Sequence, residues 1–257
     1  MISASPRPET SSKPPGLIVA LDICDLARAS ALARRLAGRV SAFKVGLGLY
    51  AAHGPRAVSE IASWGPLFCD LKFHDIPAQV GAAVTRLGRL GVWMLTVHAS
   101  GGARMIAAAA QAAAGCESPP VVAAVTVLTS LDRYDLATMG QPDDPGTQAL
   151  RLGQLAVAAG AGALVCSPAE APRLRVAIGA EPLLVCPGIR PSGVPAGDQI
   201  RIGTPAQAAA AGADYLVVGR PITEADHPEQ AVEAILEELE GDRGVAPLGC
   251  EPPKSKQ

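Results

Sequence analysis

The sequence shows little bias toward either sign of charge and contains no long apolar run. Its 257 residues include 22 Lys and Arg against 24 Asp and Glu, a net charge of −2. This balance excludes a generally basic nucleic-acid binder. No apolar stretch reaches the roughly 18 to 20 residues that a membrane-spanning helix needs. We therefore expect neither nucleic acid nor a membrane as a partner.

Metal-binding and disulfide motifs are missing as well. The six cysteines form no CxxC pair and no Cys–His cluster at metal-ligand spacing; they are Cys24, Cys69, Cys116, Cys166, Cys186 and Cys250. The sequence therefore predicts no metal site. The first residues, MISASPRPETSSKPPG, lack the apolar core of a signal peptide. A cytoplasmic protein with reduced thiols is the expectation.

A repeating pattern lies between two polar ends. Residues 1–15 and 241–257 are rich in Ser, Pro and charge and are predicted to be flexible tails. Residues 16–240 repeat a short apolar run followed by an Ala/Leu-rich helical stretch. The predicted strands are 17–21, 42–45, 67–71, 94–98, 121–128, 163–166, 183–186 and 215–218. The predicted helices are about 25–37, 49–62, 77–90, 102–114, 147–159, 169–178, 204–211 and 226–240.

Eight such repeats predict an α/β protein with a parallel sheet covered by helices. Eight strands also close a (β/α)8 TIM barrel, which has about 250 residues. An open doubly wound sheet is the alternative, but it usually carries a glycine-rich phosphate loop after its first strand. The sequence there is ALDICD, without GxGxxG. We therefore predict a single (β/α)8 domain.

Polar residues gather at the predicted carboxyl ends of the strands, where barrel enzymes place their chemistry. These positions hold Asp22, Lys44, Asp70, Lys72, His98, Thr129, Ser167, Gly188 to Arg190, and Gly219 to Arg220. The strand interiors are almost uncharged. The ends therefore form the candidate site.

The segment DLKFHDIP, residues 70–77, carries the densest signal. Asp70 and Lys72 are two apart on a strand and so point to the same side. Lys44 ends the neighbouring strand, and Asp75 follows Lys72. An alternating array of this kind can hold charge at a reacting centre. A salt bridge that closes the end of strand 3 is the alternative.

Two loops suggest a phosphate site. CPGIRPSG (186–193) follows strand 7 and VVGRPIT (217–223) follows strand 8, the two loops with which barrels frequently bind phosphate. Arg190 and Arg220 could each grip two oxygens. Turn glycines with solvated arginines are the alternative. PSGVPAGDQ (191–199) has the composition of a mobile lid.

Four further residues give weaker signals. His98 could be a base, but a hydrogen-bonded histidine at the strand end is favoured. His74 adjoins the array and is interpreted as a packing or orienting residue. Thr129 and Ser130 could bond a ligand or cap the next segment, and both interpretations stay open.

From about Leu17 to Leu239 the sequence resembles orotidine 5′-phosphate decarboxylases of the bacterial monofunctional type. The matching stretches are IVALD, FKVG, FCDLKFHDIP, GVWMLTVHASGGARM, AVTVLTS, GALVCS, PGIRPSG, DQIRIGTPAQA and YLVVGRPIT. The order of DLKFHDIP, VLTS, PGIR and VVGR is highly specific, whereas DxKxxD is shared with related sugar-phosphate barrels.

The resemblance implies roles for the charged residues. Asp22 would bond ribose hydroxyls, with Lys44 beside it at the reacting centre. Asp70 would face the substrate carboxylate and Lys72 would donate a proton. Asp75 would join the array from the other subunit of a homodimer with shared active sites.

The resemblance also implies binding residues. Thr129 would contact the pyrimidine side of the ligand. The 5′-phosphate would be held by Arg190, Gln199, Gly219 and Arg220. Ile76 and Gln79 are further implied substrate-binding residues, and Gln79 stands where the family usually has Thr.

The implied reaction is the cofactor-free decarboxylation of orotidine 5′-phosphate to uridine 5′-phosphate in pyrimidine biosynthesis, with Lys72 protonating C6. One alternative is a related barrel enzyme, a sugar-phosphate epimerase or a 3-keto-hexulose-phosphate-type lyase, for which metal ligands at the strand ends would be expected. The other is an inactive phosphate-ligand sensor on the same fold, in which Asp70 or Lys72 would be expected to be lost.

Overall fold

The computed structural model describes residues 14–141, 144–191 and 203–241. The predicted tails fall almost wholly outside these ranges, as do residues 192–199 of the predicted lid, including Gln199. The barrel elements run from Gly16 to Gly241. The last helix thus ends one residue inside the segment predicted as the C-terminal tail.

Eight parallel strands form a closed barrel in sequence order, with the first paired to the last. They are β1 (Gly16–Ala20), β2 (Ala42–Gly46), β3 (Leu67–Phe73), β4 (Met94–His98), β5 (Val121–Val125), β6 (Ala163–Val165), β7 (Leu183–Cys186) and β8 (Tyr215–Val218). The predicted barrel is confirmed. The largest difference is that β5 ends at Val125 instead of residue 128. Its neighbour β6 ends at Val165, whose carbonyl accepts the last bonds, from the backbone and hydroxyl of Thr126.

Helices cover the outside of the barrel. They are α1 (Leu26–Leu36), α2 (Leu47–His53), α3 (Pro55–Ala62), α4 (Pro77–Gly88), α5 (Ala103–Ala114), α6 (Arg133–Thr138), α7 (Pro145–Ala158), α8 (Ala171–Ile178), α9 (Pro205–Ala210), α10 (Arg220–Thr223) and α11 (Pro228–Gly241). The single helix predicted over 49–62 is divided because Gly54 has a φ of +58° and Pro55 begins a new helix. Within the described ranges, no helix is long and apolar enough to cross a membrane.

Side chains on the strands alternate between two apolar clusters. One cluster fills the barrel axis and consists of Ile18, Ala20, Ala42, Phe68, Met94, Ala123, Ala163, Val185 and Val217. The intervening residues pack under the helices. We call the strand residues that point toward the barrel axis the inward series. Two residues after Ala42, Phe68 and Met94 of this series come Lys44 on β2, Asp70 on β3 and Thr96 on β4. The same alternation that builds the core therefore delivers polar groups to the carboxyl end.

Candidate active site

A cavity of about 490 Å³ opens at the carboxyl ends of the strands. Ten of the sequence-predicted candidates line it: Asp22, Lys44, Asp70, Lys72, Thr129, Ser130, Gly188, Arg190, Gly219 and Arg220. Asp75, Ile76 and Gln79 are not among the lining residues. Most of the expected site is therefore one continuous surface in a single chain.

Four charged side chains alternate in sign along one wall of the cavity. Lys44 Nζ lies 2.9 Å from Asp22 Oδ1 and 3.4 Å from Asp70 Oδ2. Lys72 Nζ lies 2.9 Å from both oxygens of Asp70. We call Asp22, Lys44, Asp70 and Lys72 the charge array. Asp70 pairs with two lysines. The arrangement is therefore larger than the single Asp70–Lys72 salt bridge that was the alternative interpretation of the sequence.

The centre of the charge array is shielded from water. The side chains of Lys44 and Asp70 are 9% and 12% exposed. Burial by itself would raise the pKa of Asp70, but Lys44, Lys72 and hydrogen bonds from Lys72 and Thr96 outweigh it and hold that pKa below its usual value. Burial would likewise lower the pKa of Lys44, but Asp70 and Asp22 raise it. Both groups are therefore charged at neutral pH.

The backbone at Lys72 departs from regular strand geometry. Lys72 has a φ of +52°, the one positive φ at a non-glycine residue in the described parts of the chain. The pairing of β3 with β4 shifts register between Cys69 and Phe73. Simple alternation therefore does not account for the placement of Lys72 and His74. The side chains of Asp70 and Lys72 are in contact, as expected, but the strand between them is irregular.

Asp75, Ile76 and Gln79 lie on the exposed rim beyond β3. The Asp75 carboxylate accepts a hydrogen bond from the backbone N–H of Ile76 at 2.6 Å. Ile76 is 63% exposed. Among the ion pairs of the described residues, none joins Asp75 to the charge array of its own chain. In the single chain this rim therefore stands apart from the cavity.

Two arginines, on the segments after β7 and β8, also line the cavity. Arg190 is only 7% exposed, and its Nη1 donates to the carbonyl of Ile189 at 2.9 Å. Arg220 is exposed at the start of α10. The segment after β7 is tied back by two bonds, from Arg190 N to the carbonyl of Gly203 and from Gly203 N to that of Gly188. The alternative of two solvated arginines is therefore wrong for Arg190.

Apolar side chains from the ends of β5, β6 and β7 line a further part of the cavity. This part of the wall is formed by Val125, Val127, Leu128, Val165, Cys166 and Pro187. Thr129 and Ser130 line the cavity beside it. A ligand that fits must therefore have an anionic group for the arginines, a flat or apolar middle, and polar groups at the charge array.

His98 and His74 pack against each other behind the charge array, with ring centroids 5.5 Å apart. Burial, His74 and Lys72 together lower the pKa of His98. The expected hydrogen bond of His98 stays a prediction, whereas the contact between the two rings agrees with the packing role expected of His74. Neither ring lines the cavity.

One residue of the site was missed from the sequence. Thr96 on β4 is fully buried and bonds both to the carboxylate of Asp70 and to the backbone of Lys72. Its signal is a polar residue inside the apolar run MLTVH on the inward series. As for metals, the described ranges contain no group of three or more His, Cys, Asp or Glu side chains suited to holding an ion.

The closed barrel and this cavity define a (β/α)8-barrel enzyme whose site is lined by fixed Asp and Lys charges and by two arginines. The model of the "Orotidine 5'-phosphate decarboxylase / HUMPS family" matches residues 15–235. The chain belongs to this family, and the resemblance drawn from its motifs is confirmed.

Curated relatives and solved structures agree with this membership. The orotidine 5'-phosphate decarboxylase of Halorhodospira halophila is 48% identical over 227 residues, covering 88% of this chain and 96% of the relative. That of Alcanivorax borkumensis is 48% identical over 224 residues, covering 87% and 97%. A crystal structure of the decarboxylase from Lactobacillus acidophilus has a TM-score of 0.76 at 35% identity and covers 88% of this chain and 99% of that one.

Proposed function

We propose that this protein is a carboxy-lyase that converts orotidine 5′-phosphate into uridine 5′-phosphate and CO2, as a cytoplasmic step of pyrimidine biosynthesis. The observation that carries the proposal is that the charge array, Arg190 and Arg220 all line one cavity. The relatives at 48% identity are named for this reaction. A substrate with a phosphate and a carboxylate-bearing ring matches a cavity that offers both arginines and the charge array.

The substrate spans the cavity from the arginines to the charge array. Its 5′-phosphate binds Arg190, Gly219 and Arg220, with Gln199 as a further ligand, because guanidinium groups and backbone N–H groups suit phosphate oxygens. The ribose hydroxyls contact Asp22, which is 62% exposed at the cavity mouth, together with Lys44. Thr129 contacts the edge of the pyrimidine.

The reaction takes place where Asp70 meets Lys72. The bond between C6 and the carboxylate carbon breaks, CO2 leaves, and the electron pair stays on C6. The Lys72 ammonium stabilises this developing charge and then donates a proton to C6, after which the neutral amine regains a proton from water. The carboxylate of Asp70, itself held by Lys44, holds the Lys72 ammonium in place before substrate binds, so little reorganisation is needed. The scheme requires no cofactor.

We further propose that two chains form a homodimer with shared active sites. Asp75 lies on an exposed rim outside its own cavity, next to Ile76 at 63% exposure. Leu47, which follows the neighbouring strand β2, is 59% exposed. Apolar side chains this exposed on one rim favour coverage by another surface. A second copy would bring Asp75, Ile76 and Gln79 to the partner's charge array.

An ultraviolet assay with orotidine 5′-phosphate, run with and without a chelator, tests the proposed activity. We expect conversion to uridine 5′-phosphate at the same rate in both. Wild-type protein that leaves this substrate unchanged contradicts the proposal. Activity that a chelator abolishes would instead point to a metal-dependent barrel enzyme, and binding of the nucleotide without turnover to a ligand sensor.

A further inference from the structure

The hydroxyl of Thr96 makes two hydrogen bonds, and both partners belong to the charge array. It donates to Asp70 Oδ1 at 3.0 Å and accepts from the backbone N–H of Lys72 at 2.8 Å. Thr96 has no exposed surface and is not among the residues that line the cavity. Its hydroxyl therefore reaches the reacting residues from behind, away from the substrate.

The bond to Lys72 falls where the sheet is irregular. The pairing between β3 and β4 shifts at this point, so the N–H of Lys72 bonds to a side chain of β4 rather than to a backbone carbonyl. Lys72 also has a positive φ, which is unfavourable for a residue with a Cβ atom. A conformation of this kind persists only where neighbouring groups hold it. The hydroxyl of Thr96 is such a group.

We propose that Thr96 is a positioning residue for the decarboxylation, whose hydroxyl fixes the carboxylate of Asp70 and the backbone of Lys72 relative to each other. The proposal rests on the proposed function. With both groups held by one oxygen, Lys72 Nζ stays 2.9 Å from the two oxygens of Asp70. The ammonium is thereby aimed at C6, since proton donation depends steeply on geometry.

Such a role affects turnover more than substrate binding. Thr96 bonds to neither Arg190 nor Arg220, so binding of the phosphate does not depend on its hydroxyl. The hydrogen bond from Thr96 also contributes to holding the pKa of Asp70 below its usual value, after burial, Lys44 and Lys72 have had their larger effects. The charged or titratable groups around this carboxylate are Lys44 on β2, Cys69 and Lys72 on β3, and His98 on β4. Loss of the hydroxyl therefore raises the pKa of Asp70.

The test compares Thr96→Val, which keeps the shape and removes the hydroxyl, with Thr96→Ser, which keeps the hydroxyl. Thr126→Val is the matched control, because Thr126 is also buried but donates to the carbonyl of Val165. For Thr96→Val we expect kcat to fall by roughly ten- to a hundred-fold with KM within about threefold. The acidic limb of the kcat profile should move to higher pH.

The conservative and control variants decide the interpretation. Thr96→Ser and Thr126→Val should each keep kcat within about threefold of wild type, because the hydroxyl at position 96 is intact in both. Thr96→Val with wild-type kcat overturns the proposal, and so does an equal loss in Thr96→Val and Thr126→Val that follows their melting temperatures. Thr96→Ser as impaired as Thr96→Val also overturns it. Inactive wild-type protein would overturn the proposed function instead. Thr96→Ala replaces Thr96→Val if valine prevents folding.

Discussion

Lys72 combines an unfavourable backbone conformation with a side chain fixed by two contacts. A positive φ at a non-glycine residue costs about 1–3 kcal/mol. The protein recovers this through the bonds that Lys72 makes to Asp70 and Thr96. Strain at a single lysine inside the cavity is typical of a residue kept for chemistry rather than for stability.

Replacement of Lys72 by alanine removes the proposed proton donor. We expect Lys72→Ala to lose at least about a thousandfold in kcat, since the proton transfer has no other donor. The fold should be kept, because the Lys72 side chain is 28% exposed and Lys44 still pairs with Asp70. Turnover is measured by ultraviolet absorbance and folding by circular dichroism. A folded Lys72→Ala protein with near-normal turnover would contradict the role of Lys72 as the proton donor.

Replacement of Arg220 by alanine tests the phosphate end. The loss of its charge-assisted bonds should lower kcat/KM for orotidine 5′-phosphate by roughly ten- to a hundred-fold. Arg56→Ala is the control, because Arg56 is 80% exposed on α3, away from the cavity. Orotidine without its phosphate is the comparison substrate. If Arg220→Ala loses as much toward orotidine as toward the full substrate, Arg220 does not bind phosphate.

The depressed pKa of Asp70 predicts how stability depends on pH. Since the folded pKa lies below the ordinary 3.8, the unfolded chain binds a proton at this site first as pH falls. The contribution of Asp70 to stability is therefore present above that ordinary value and is lost as pH falls through the folded pKa. We expect urea unfolding of Asp70→Asn to show a shallower fall in stability below about pH 4 than wild type. Equal slopes would contradict the depressed pKa.

At the level of the elements, period-two alternation explains what the sequence could predict about the site. It places Lys44 and Asp70 on the inward series because β2 and the first part of β3 are regular. It does not describe Lys72 and His74, because the register shift of β3 against β4 lies between Cys69 and Phe73. A bulge leaves no mark in the residue pattern. Thr96 was missed because a lone threonine in an apolar strand is ordinary.

Short helices explain most of the remaining difference. The helix α6 has six residues and is fixed by a capping box between Asp132 and Asp135. The helix α10 has only four residues. Neither is long enough to show a 3.6-residue period, so the sequence predicted loops there. The long helices, such as α7 and α11, were predicted to within a few residues.

The amino ends of β7 and β8 are joined by one partly buried ion pair. Arg175 of α8 bonds to Asp214 and to four carbonyls, while Asp214 also accepts from Leu184 N at 2.6 Å. We expect Asp214→Asn to lower the free energy of unfolding by about 1–3 kcal/mol, with kcat unchanged because the pair lies at the end of the barrel opposite the cavity. Urea unfolding and the activity assay measure the two effects.

Glu233→Gln is the control for this prediction. Glu233 pairs with Arg39 at the surface, where both side chains are at least half exposed. Its removal should cost less than about 1 kcal/mol. If Asp214→Asn is no more destabilising than Glu233→Gln, the ion pair between Arg175 and Asp214 does not stabilise the fold.

At the scale of the whole molecule, the shared active site predicts complementation between inactive variants. Lys72→Ala and Asp75→Ala should each be nearly inactive. After mixing and subunit exchange, each mixed dimer has one site with both defects and one with neither. Random pairing should then restore about a quarter of wild-type activity, since half of the dimers are mixed.

Subunit exchange must be demonstrated separately, for example with fluorescent labels on the two variants. If Asp75 acts in its own chain, every site in the mixture keeps one defect. Exchange without recovery therefore rejects the shared site. Restored activity that falls on dilution, as mixed dimers dissociate, would support the shared site.

The pairing of β1 with β8 has a consequence for how the protein is made. Asp22 follows the first strand and Arg220 the last, yet both line one cavity, because Val19 lies beside Val218 in the closed barrel. A ribosome releases the first strand long before the last one is synthesised. Until then β1 is an open edge without its partner, and an open edge is prone to aggregation. A nascent chain that stops before residue 215 lacks β8, Gly219 and Arg220, so the cavity that would bind substrate is still incomplete.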